Sequence, residues 1–208
     1  MNIPIAYEDE WILVADKPSG LLTIPTPKKE SRTLTSILND DAKERALTYR
    51  LHPCHRLDRE TSGLIIYAKG KATQAKMMEL FAQRHVKKTY IAFVHGRLSC
   101  ASGEIRQPIE SAPAVTGYKT IAYRKDYTII EATPATGRTN QLRIHCKSIG
   151  HPIVGETKFA FRRHFALKGK RLCLHARTLV FNHPVTGREL RLESALPKDL
   201  QAFLEAHP

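Results

Sequence analysis

The chain has 208 residues, of which 42% are hydrophobic and 25% charged, a composition that fits one globular domain with a packed core. Lysine and arginine number 33 against 20 aspartates and glutamates, and the net charge of +13 at pH 7 favours a polyanionic partner such as nucleic acid. The first residues lack the basic and apolar segments of a signal peptide, and no apolar run approaches the roughly 20 residues that cross a bilayer, so we expect a cytoplasmic protein without a membrane partner.

Apolar periodicity and turn residues predict the elements in chain order. The predicted strands cover residues 11–16, 21–24, 62–68, 88–96, 118–123, 127–133, 172–181 and 188–192. The predicted helices cover residues 32–45, with Ser31 as N-cap, and residues 71–85, 140–148 and 197–205. Strands follow strands more often than they alternate with helices, which predicts an α+β fold with a mainly antiparallel mixed sheet flanked by helices. We expect a single domain over residues 1–208.

The four cysteines, Cys54, Cys100, Cys146 and Cys173, are widely spaced and form no CxxC pair. This spacing predicts free thiols in a reducing compartment and speaks against a structural zinc site. The sequence also contains no P-loop, no GxGxxG stretch and no clustered set of carboxylates and histidines, so no cofactor or metal is expected.

A first polar cluster, HRLDRETSG at residues 55–63, places one carboxylate between two arginines. Asp58 has Arg56 and Arg59 beside it, and opposite charges nearby favour the ionised form of a carboxyl group. The turn that follows leads into an apolar strand, which would place Asp58 at the rim of the sheet. A structural ion pair at a strand entry is the alternative interpretation.

A second cluster, TGRTNQLRIH at residues 136–145, is also dense in polar and turn residues. Gly137 ends the preceding predicted strand, and Thr139 can cap the short helix that follows. Arg143 and Asn140 are expected on one side of that helix.

The third unusual segment is KFAFRRHFALKGKR at residues 158–171, which holds six lysines and arginines and no acidic residue. Its phenylalanines 159, 161 and 165 alternate with charge. This mixture is typical of a loop or short helix that lies against the phosphates of a nucleic acid. A basic surface that serves only solubility is the alternative.

Five segments together resemble the pseudouridine synthases of the RluA type over nearly the whole chain. They are VADKPSGLLTIP (14–25), HRLDRETSGLIIYAK (55–69), KKTYIAFVHG (87–96), TGRTNQLRIHCKSIGHPIVGE (136–156) and LHARTLVFNHPVTG (174–187). Two positions depart from the family pattern: Asn140 stands where many members carry His, and Glu156 where many carry Asp. We expect neither to touch the residues that the chemistry requires, although a change at Asn140 could alter a contact to RNA.

The resemblance implies a pseudouridine synthase fold and the conversion of uridine to pseudouridine in structured stem-loops of rRNA, tRNA or both, without cofactor or metal. Asp58 matches the catalytic aspartate, which could attack C1′ or C6 or stabilise charge on the sugar. Arg143 matches the arginine that pairs with this aspartate and keeps it ionised and oriented. Tyr90 matches a tyrosine that can stack on uracil and assist proton removal at C5.

Several basic and polar residues are predicted to bind the RNA. Arg56 could fill the stack that a flipped uridine leaves, although it could instead form a salt bridge with Glu60. The predicted RNA-binding residues are Arg56, Lys87, Lys88, Asn140, Arg162, Arg163, Lys168, Lys170 and Arg171. The histidines 55, 145 and 175 show no spacing typical of a metal site and are interpreted as structural or RNA-contacting. The first family segment begins by about residue 11, so we expect no S4-type RNA-binding domain before it, and we expect a monomer.

Two other functions stay open from the residues alone. A metal-dependent nuclease would also be basic and use Asp, but it would require several carboxylates that converge on Mg²⁺. A non-catalytic RNA-binding or ribosome-assembly protein could keep the same fold. EDTA sensitivity distinguishes the first from an isomerase, and substitution of Asp58 distinguishes the second.

Overall fold

The computed structural model describes residues 2–27, 30–160 and 165–208. The chain divides into two compact units: unit 1 comprises residues 1–87 and 178–194, and unit 2 comprises residues 88–177 and 195–208. The expectation that residues 1–208 form a single catalytic domain stays a prediction.

The described part of the chain contains ten strands and four helices. The strands are β1 (Ile5–Glu8), β2 (Ile12–Lys17), β3 (Leu51–Pro53), β4 (Ser62–Lys69), β5 (Lys87–His95), β6 (Ser102–Ile105), β7 (Thr116–Tyr123), β8 (Tyr127–Pro134), β9 (Leu174–Asn182) and β10 (Glu189–Glu193). The helices are α1 (Leu34–Glu44), α2 (Lys71–Ala82), α3 (Gln141–Ser148) and α4 (Lys198–Ala206). None of these helices combines the length and hydropathy that a membrane span requires.

Unit 1 is built around β2 and β4, which pair antiparallel from Ile12 opposite Ala68 to Lys17 opposite Gly63. Strand β1 pairs with β2, β3 pairs with β4, and β10 pairs with β9, all antiparallel. The core of unit 1 is formed by buried side chains of these strands and of α2, chiefly Ile12, Val14, Leu64, Ile66, Met77, Leu179 and Phe181. Strand β4 is buried along almost its whole length, so the loop that precedes it ends at a rigid support.

In unit 2, strands β5, β8, β7 and β6 are neighbours in this order, and each pair is antiparallel. Strands β7 and β8 form a hairpin around residues 124–126. Helix α4 packs its Phe203 ring 5.8 Å from Phe93 and 5.6 Å from Tyr127, between ring centroids. These contacts anchor the end of the chain to β5 and β8.

The predicted α+β class with mainly antiparallel pairing is confirmed, and the long strands and all four helices lie where the sequence predicts them to within a few residues. Helix α2 ends at Ala82 instead of residue 85. The N-cap of α1 is Thr33 instead of Ser31: the Thr33 hydroxyl accepts a hydrogen bond from the Ser36 amide, and Ser36 Oγ accepts one from the Thr33 amide. This reciprocal pair satisfies two amides of the helix start that would otherwise lack partners.

The predicted strand at residues 21–24 is wrong. Its carbonyl groups accept hydrogen bonds from the start of α1, from the Leu34 amide to Leu22 O (2.8 Å) and from the Thr35 amide to Thr23 O (3.1 Å). Polar groups that are used in this way cannot form a strand ladder. Strands β1, β3 and β6 were not predicted, and each of them has only three or four residues.

The prediction of free thiols is confirmed for all four cysteines. Cys54, Cys146 and Cys173 are buried, and burial raises the pKa of each of these thiols to about 12. Only Cys100 is exposed. The three buried thiols are therefore packing residues with little thiolate character.

Candidate active site

Asp58 lies half-buried in the loop at residues 54–61 that connects β3 to β4 in unit 1. The residue before it, Leu57, is buried, and a single side chain satisfies both of its backbone groups. The Thr23 hydroxyl donates to Leu57 O at 3.0 Å and accepts from the Leu57 amide at 3.2 Å. The backbone on the N-terminal side of Asp58 is thereby held in place.

The C-terminal side of Asp58 is held by residues 17–20. Lys17 is fully buried at the end of β2, and its ammonium donates to the carbonyl oxygens of Arg59 (3.1 Å), Leu21 (2.6 Å) and Pro18 (3.0 Å). The Gly20 amide also donates to Arg59 O (2.8 Å). A buried ammonium is tolerated only where such acceptors surround it. The segment VADKPSGLLTIP therefore supports the loop that carries Asp58.

Lys17 and Thr23 were not predicted as residues of this site. A signal was present, since a lysine at the end of a buried apolar strand needs polar partners. The identity of those partners was not readable, because Thr23 and Leu57 are separated by 34 positions.

Arg143 lies on α3 in unit 2, where its side chain is only 6% exposed. Its guanidinium forms a bidentate ion pair with Glu156, from Nε to Oε2 at 2.7 Å and from Nη2 to Oε1 at 2.8 Å. Nη1 donates to the side-chain oxygen of Asn140 at 3.0 Å. Asn140 and Glu156 were expected not to touch the residues that match the family's chemistry, yet both contact Arg143, the arginine predicted to pair with Asp58.

Glu156 is bound more extensively than an ordinary salt-bridge partner. Its Oε1 also accepts the backbone amides of Thr157 (2.9 Å), Lys158 (2.7 Å) and Phe159 (3.2 Å). Burial by itself would raise the pKa of this carboxyl group, but the hydrogen bonds from Arg143 and from the backbone outweigh it and hold the pKa below its ordinary value. Glu156 is therefore a carboxylate at neutral pH.

Tyr90 lies on β5 opposite Ala132 of β8 and is 9% exposed. Because side chains alternate along a strand, Lys88 is on the same face as Tyr90. Lys88 is half-buried, and burial lowers the pKa of its ammonium group. Its Nζ lies 3.8 Å from the position that a Cβ at Gly137 would occupy. Unit 2 thus brings Lys88 next to the TGRTN segment.

Two histidines of the family segments, His55 and His145, have hydrogen-bond partners within the fold. His55 Nε2 accepts the Ile66 amide at 3.0 Å, and its ring lies 4.9 Å from that of Phe81. His145 is buried between Thr116 Oγ1 and the Gln107 carbonyl, each at 2.9 Å, and burial lowers its pKa. Within residues 2–27, 30–160 and 165–208, no group of three or more His, Cys, Asp or Glu side chains is placed to hold a metal ion.

The predicted RNA-binding residues differ in their surroundings. Arg56, Lys87, Lys168 and Lys170 are exposed. Arg171 is held within unit 2, where Nη2 donates to Leu174 O and Nη1 pairs with Asp199, both at 3.1 Å. Arg162 and Arg163 lie outside the described residues. Contact of any of these side chains with RNA stays a prediction.

The chain is similar in sequence and in structure to known RNA pseudouridine synthases. The family model of RNA pseudouridylate synthases matches residues 11–148. The dual-specificity RNA pseudouridine synthase RluA of Pasteurella multocida is 36% identical, over 88% of this chain and 89% of its own length. The ribosomal large subunit pseudouridine synthase D of Vibrio parahaemolyticus is 31% identical, over 98% of this chain and 70% of its own. The solved structure of human RNA pseudouridylate synthase domain containing 4 superposes with a TM-score of 0.81 at 26% identity, covering 97% of this chain and 91% of that one.

Proposed function

Because this chain belongs to the RNA pseudouridylate synthase family, whose members are isomerases that act on RNA, we propose that it converts uridine to pseudouridine in structured stem-loops of rRNA, tRNA or both. Asp58 is the catalytic carboxylate in this proposal, Arg143 is its guanidinium partner, and Tyr90 is the active-site tyrosine. The observation that carries the proposal is the Asp58 loop, in which the backbone on both sides of a half-buried carboxylate is held by Thr23, Lys17 and Gly20.

The reaction breaks the bond from C1′ of the ribose to N1 of uracil and forms a bond from C1′ to C5. C5 loses its proton and N1 gains one, so the base keeps its composition and its oxidation state. Asp58 either attacks C1′ or C6 or stabilises positive charge on the sugar. Tyr90 stacks on the uracil and assists removal of the C5 proton. None of these steps requires a cofactor or a metal.

A guanidinium partner keeps the carboxylate ionised. At a separation of ~4 Å and an effective dielectric constant of ~20, such a pair has a Coulomb energy of order 4 kcal/mol before desolvation is subtracted. Arg143 suits this role because Glu156 and Asn140 hold it in one orientation. A pre-oriented fork loses little further freedom when it binds a carboxylate.

The target class rests on charge and on the relatives. The net charge of +13 favours a polyanion, and Arg56, Lys87, Lys88, Lys168 and Lys170 would contact its phosphates and bases. One relative is named a dual-specificity RNA pseudouridine synthase and another a ribosomal large subunit pseudouridine synthase, and we propose rRNA, tRNA or both as the substrate. We further propose that the protein acts in the cytoplasm as a monomer.

The test is a pseudouridine map of total RNA from cells with and without this protein, followed by kinetics on the mapped stem-loop. Asp58→Asn keeps the size of the side chain and removes its charge, so we expect a loss of at least about 10³-fold in rate with RNA affinity nearly unchanged. Asp40→Asn, at an exposed position of α1 in the same unit, is the matched control and should retain full activity.

Three results would contradict the proposal. Asp58→Asn could keep a rate within tenfold of the unchanged protein, in which case another group performs the chemistry. A map without any site that depends on this protein, with RNA binding intact, would favour the non-catalytic RNA-binding protein. Cleavage of the RNA that EDTA abolishes would favour the nuclease.

A further inference from the structure

Side-chain contacts hold the guanidinium of Arg143 on two sides. Glu156 binds the edge formed by Nε and Nη2, and Asn140 binds Nη1. The ring of Phe159 adds a contact, with its centroid 5.3 Å from Cζ of Arg143. A bidentate carboxylate on one edge and a single acceptor at another corner leave the guanidinium plane only one orientation.

The position of Glu156 does not depend on Arg143 alone. Three consecutive backbone amides, those of residues 157–159, donate to the same oxygen that binds Nη2. The preceding Gly155 has φ +82°, and a Cβ there would lie 1.8 Å from the carbonyl oxygen of Arg171. Only glycine fits such a close approach. The backbone therefore places the carboxylate, and the carboxylate places the arginine.

The position of Asn140 is set by its own backbone conformation. It is the N-cap of α3 and has a left-handed backbone, with φ 54° and ψ 24°, which asparagine tolerates better than most residues. Three positions separate it from Arg143, so both side chains lie on the same side of the first helical turn. Its side-chain oxygen is thereby directed at Nη1.

We propose that Glu156 and Asn140 are positioning residues that hold the Arg143 guanidinium in the orientation required by the carboxylate it binds during the reaction. This inference rests on the proposed function, which assigns Asp58 as that carboxylate. Glu156 is only 3% exposed and so does not reach the RNA itself. Its loss should therefore slow the chemical step and leave RNA affinity almost unchanged.

The kinetic test uses single-turnover rates and RNA dissociation constants on the mapped stem-loop. Because a misplacement of about 1 Å can slow a reaction about 10²-fold, we expect Glu156→Gln to lower the rate about 10- to 100-fold with dissociation constants within about twofold. Glu156→Asp keeps the charge but shortens the side chain. Its rate should therefore lie between the rate of the unchanged protein and that of Glu156→Gln. Glu104→Gln is the matched control, since Glu104 is an exposed glutamate that also pairs with an arginine of unit 2, Arg106.

Two variants of Asn140 test the same inference and leave the buried Arg143 charge paired with Glu156. Asn140→Gly permits the left-handed backbone but removes the oxygen, and we expect a rate about 3- to 10-fold lower. Asn140→Asp retains an oxygen acceptor and should keep most of the rate. The inference would be overturned if all Asn140 and Glu156 variants had the rate of the unchanged protein. It would also be overturned if weaker RNA binding completely explained the loss of rate.

A spectroscopic readout separates this inference from the proposed function. In the protein without RNA, the Nε–H resonance of Arg143, assigned by its absence in Arg143→Lys, should exchange slowly with water because Glu156 binds and buries it. Exchange should become at least about tenfold faster in Glu156→Gln, since a buried hydrogen bond to a charged acceptor is lost. Unchanged exchange would overturn the positioning role. Absence of pseudouridine formation by the unchanged protein, with the exchange difference still present, would overturn the proposed function and leave only the placement of Arg143 by Glu156.

Discussion

The two units hold their candidate catalytic side chains by different means. In unit 1, the backbone on either side of Asp58 is held, by Thr23 at Leu57 and by Lys17 and Gly20 at Arg59. In unit 2, Arg143 is held through its own guanidinium by Glu156 and Asn140. The difference follows from side-chain length. A short aspartate is largely placed once its backbone is placed, whereas an arginine carries about 2 kcal/mol of rotamer entropy and needs contacts at its far end.

The hydrogen bonds around Asp58 and the ion pair of Arg143 should also contribute differently to the free energy of unfolding. A typical neutral hydrogen bond contributes about 1 kcal/mol, whereas removal of one member of a buried ion pair is destabilising by about 3–5 kcal/mol because a buried charge is left uncompensated. The response to substitution and to pH should therefore differ between the two units.

The largest effect is expected at the Arg143–Glu156 pair. Glu156→Leu should lower the free energy of unfolding by about 3–5 kcal/mol, because Arg143 remains buried without its carboxylate. The double variant Arg143→Met/Glu156→Leu removes both charges and should recover more than half of that loss. Urea unfolding of the two variants, with Glu104→Leu as an exposed control, measures this coupling. A double variant no more stable than Glu156→Leu would mean that the unpaired charge is not the cause.

A smaller effect is expected at Thr23 in unit 1. Thr23→Val keeps the shape of the side chain and removes both hydrogen bonds to the buried Leu57, so we expect a loss of about 2–3 kcal/mol in the free energy of unfolding. The rate should fall as well, because Leu57 precedes Asp58. Thr186→Val, at an exposed position of the same unit, should change the unfolding free energy by less than about 0.5 kcal/mol. If Thr23→Val matched this control, backbone support of the loop would not depend on the hydroxyl.

The smallest effect is expected in the pH dependence of stability, which should differ between the Glu156 contacts of unit 2 and the Thr23 contacts of unit 1. The pKa of Glu156 is lower in the folded protein than the ordinary value of 4.5, so its carboxylate stabilises the fold above that pH and this contribution is lost as the pH falls through the folded-state pKa. The difference in unfolding free energy between the unchanged protein and Glu156→Gln should therefore be constant above about pH 5 and shrink at more acidic pH. The corresponding difference for Thr23→Val, measured in the same buffers, should not change with pH. A Glu156 difference that grows on acidification would contradict the direction of this pKa shift.

The sequence was most informative about elements that have a period long enough to recognise. Strand β4 has eight residues and helix α2 has twelve, each long enough for apolar residues to show a pattern, and both were predicted. Strand β3 has three residues and β6 has four, too few to show a period, and their pairing is decided by neighbouring strands. The segment at residues 21–24 has strand-like composition, yet its hydrogen bonds go to the start of α1.

The sequence by itself determined the class of the fold, the family and the candidate reactive groups, because the segments around Asp58, Tyr90 and Arg143 are contiguous and chemically distinctive. Only the tertiary structure decided how those groups are held. Glu156 lies 13 positions from Arg143, and Thr23 lies 34 positions from Leu57, so no local pattern joins them. Hydrogen bonds depend on donor and acceptor distance and direction in space, and residues far apart in the chain acquire that geometry only when the chain folds.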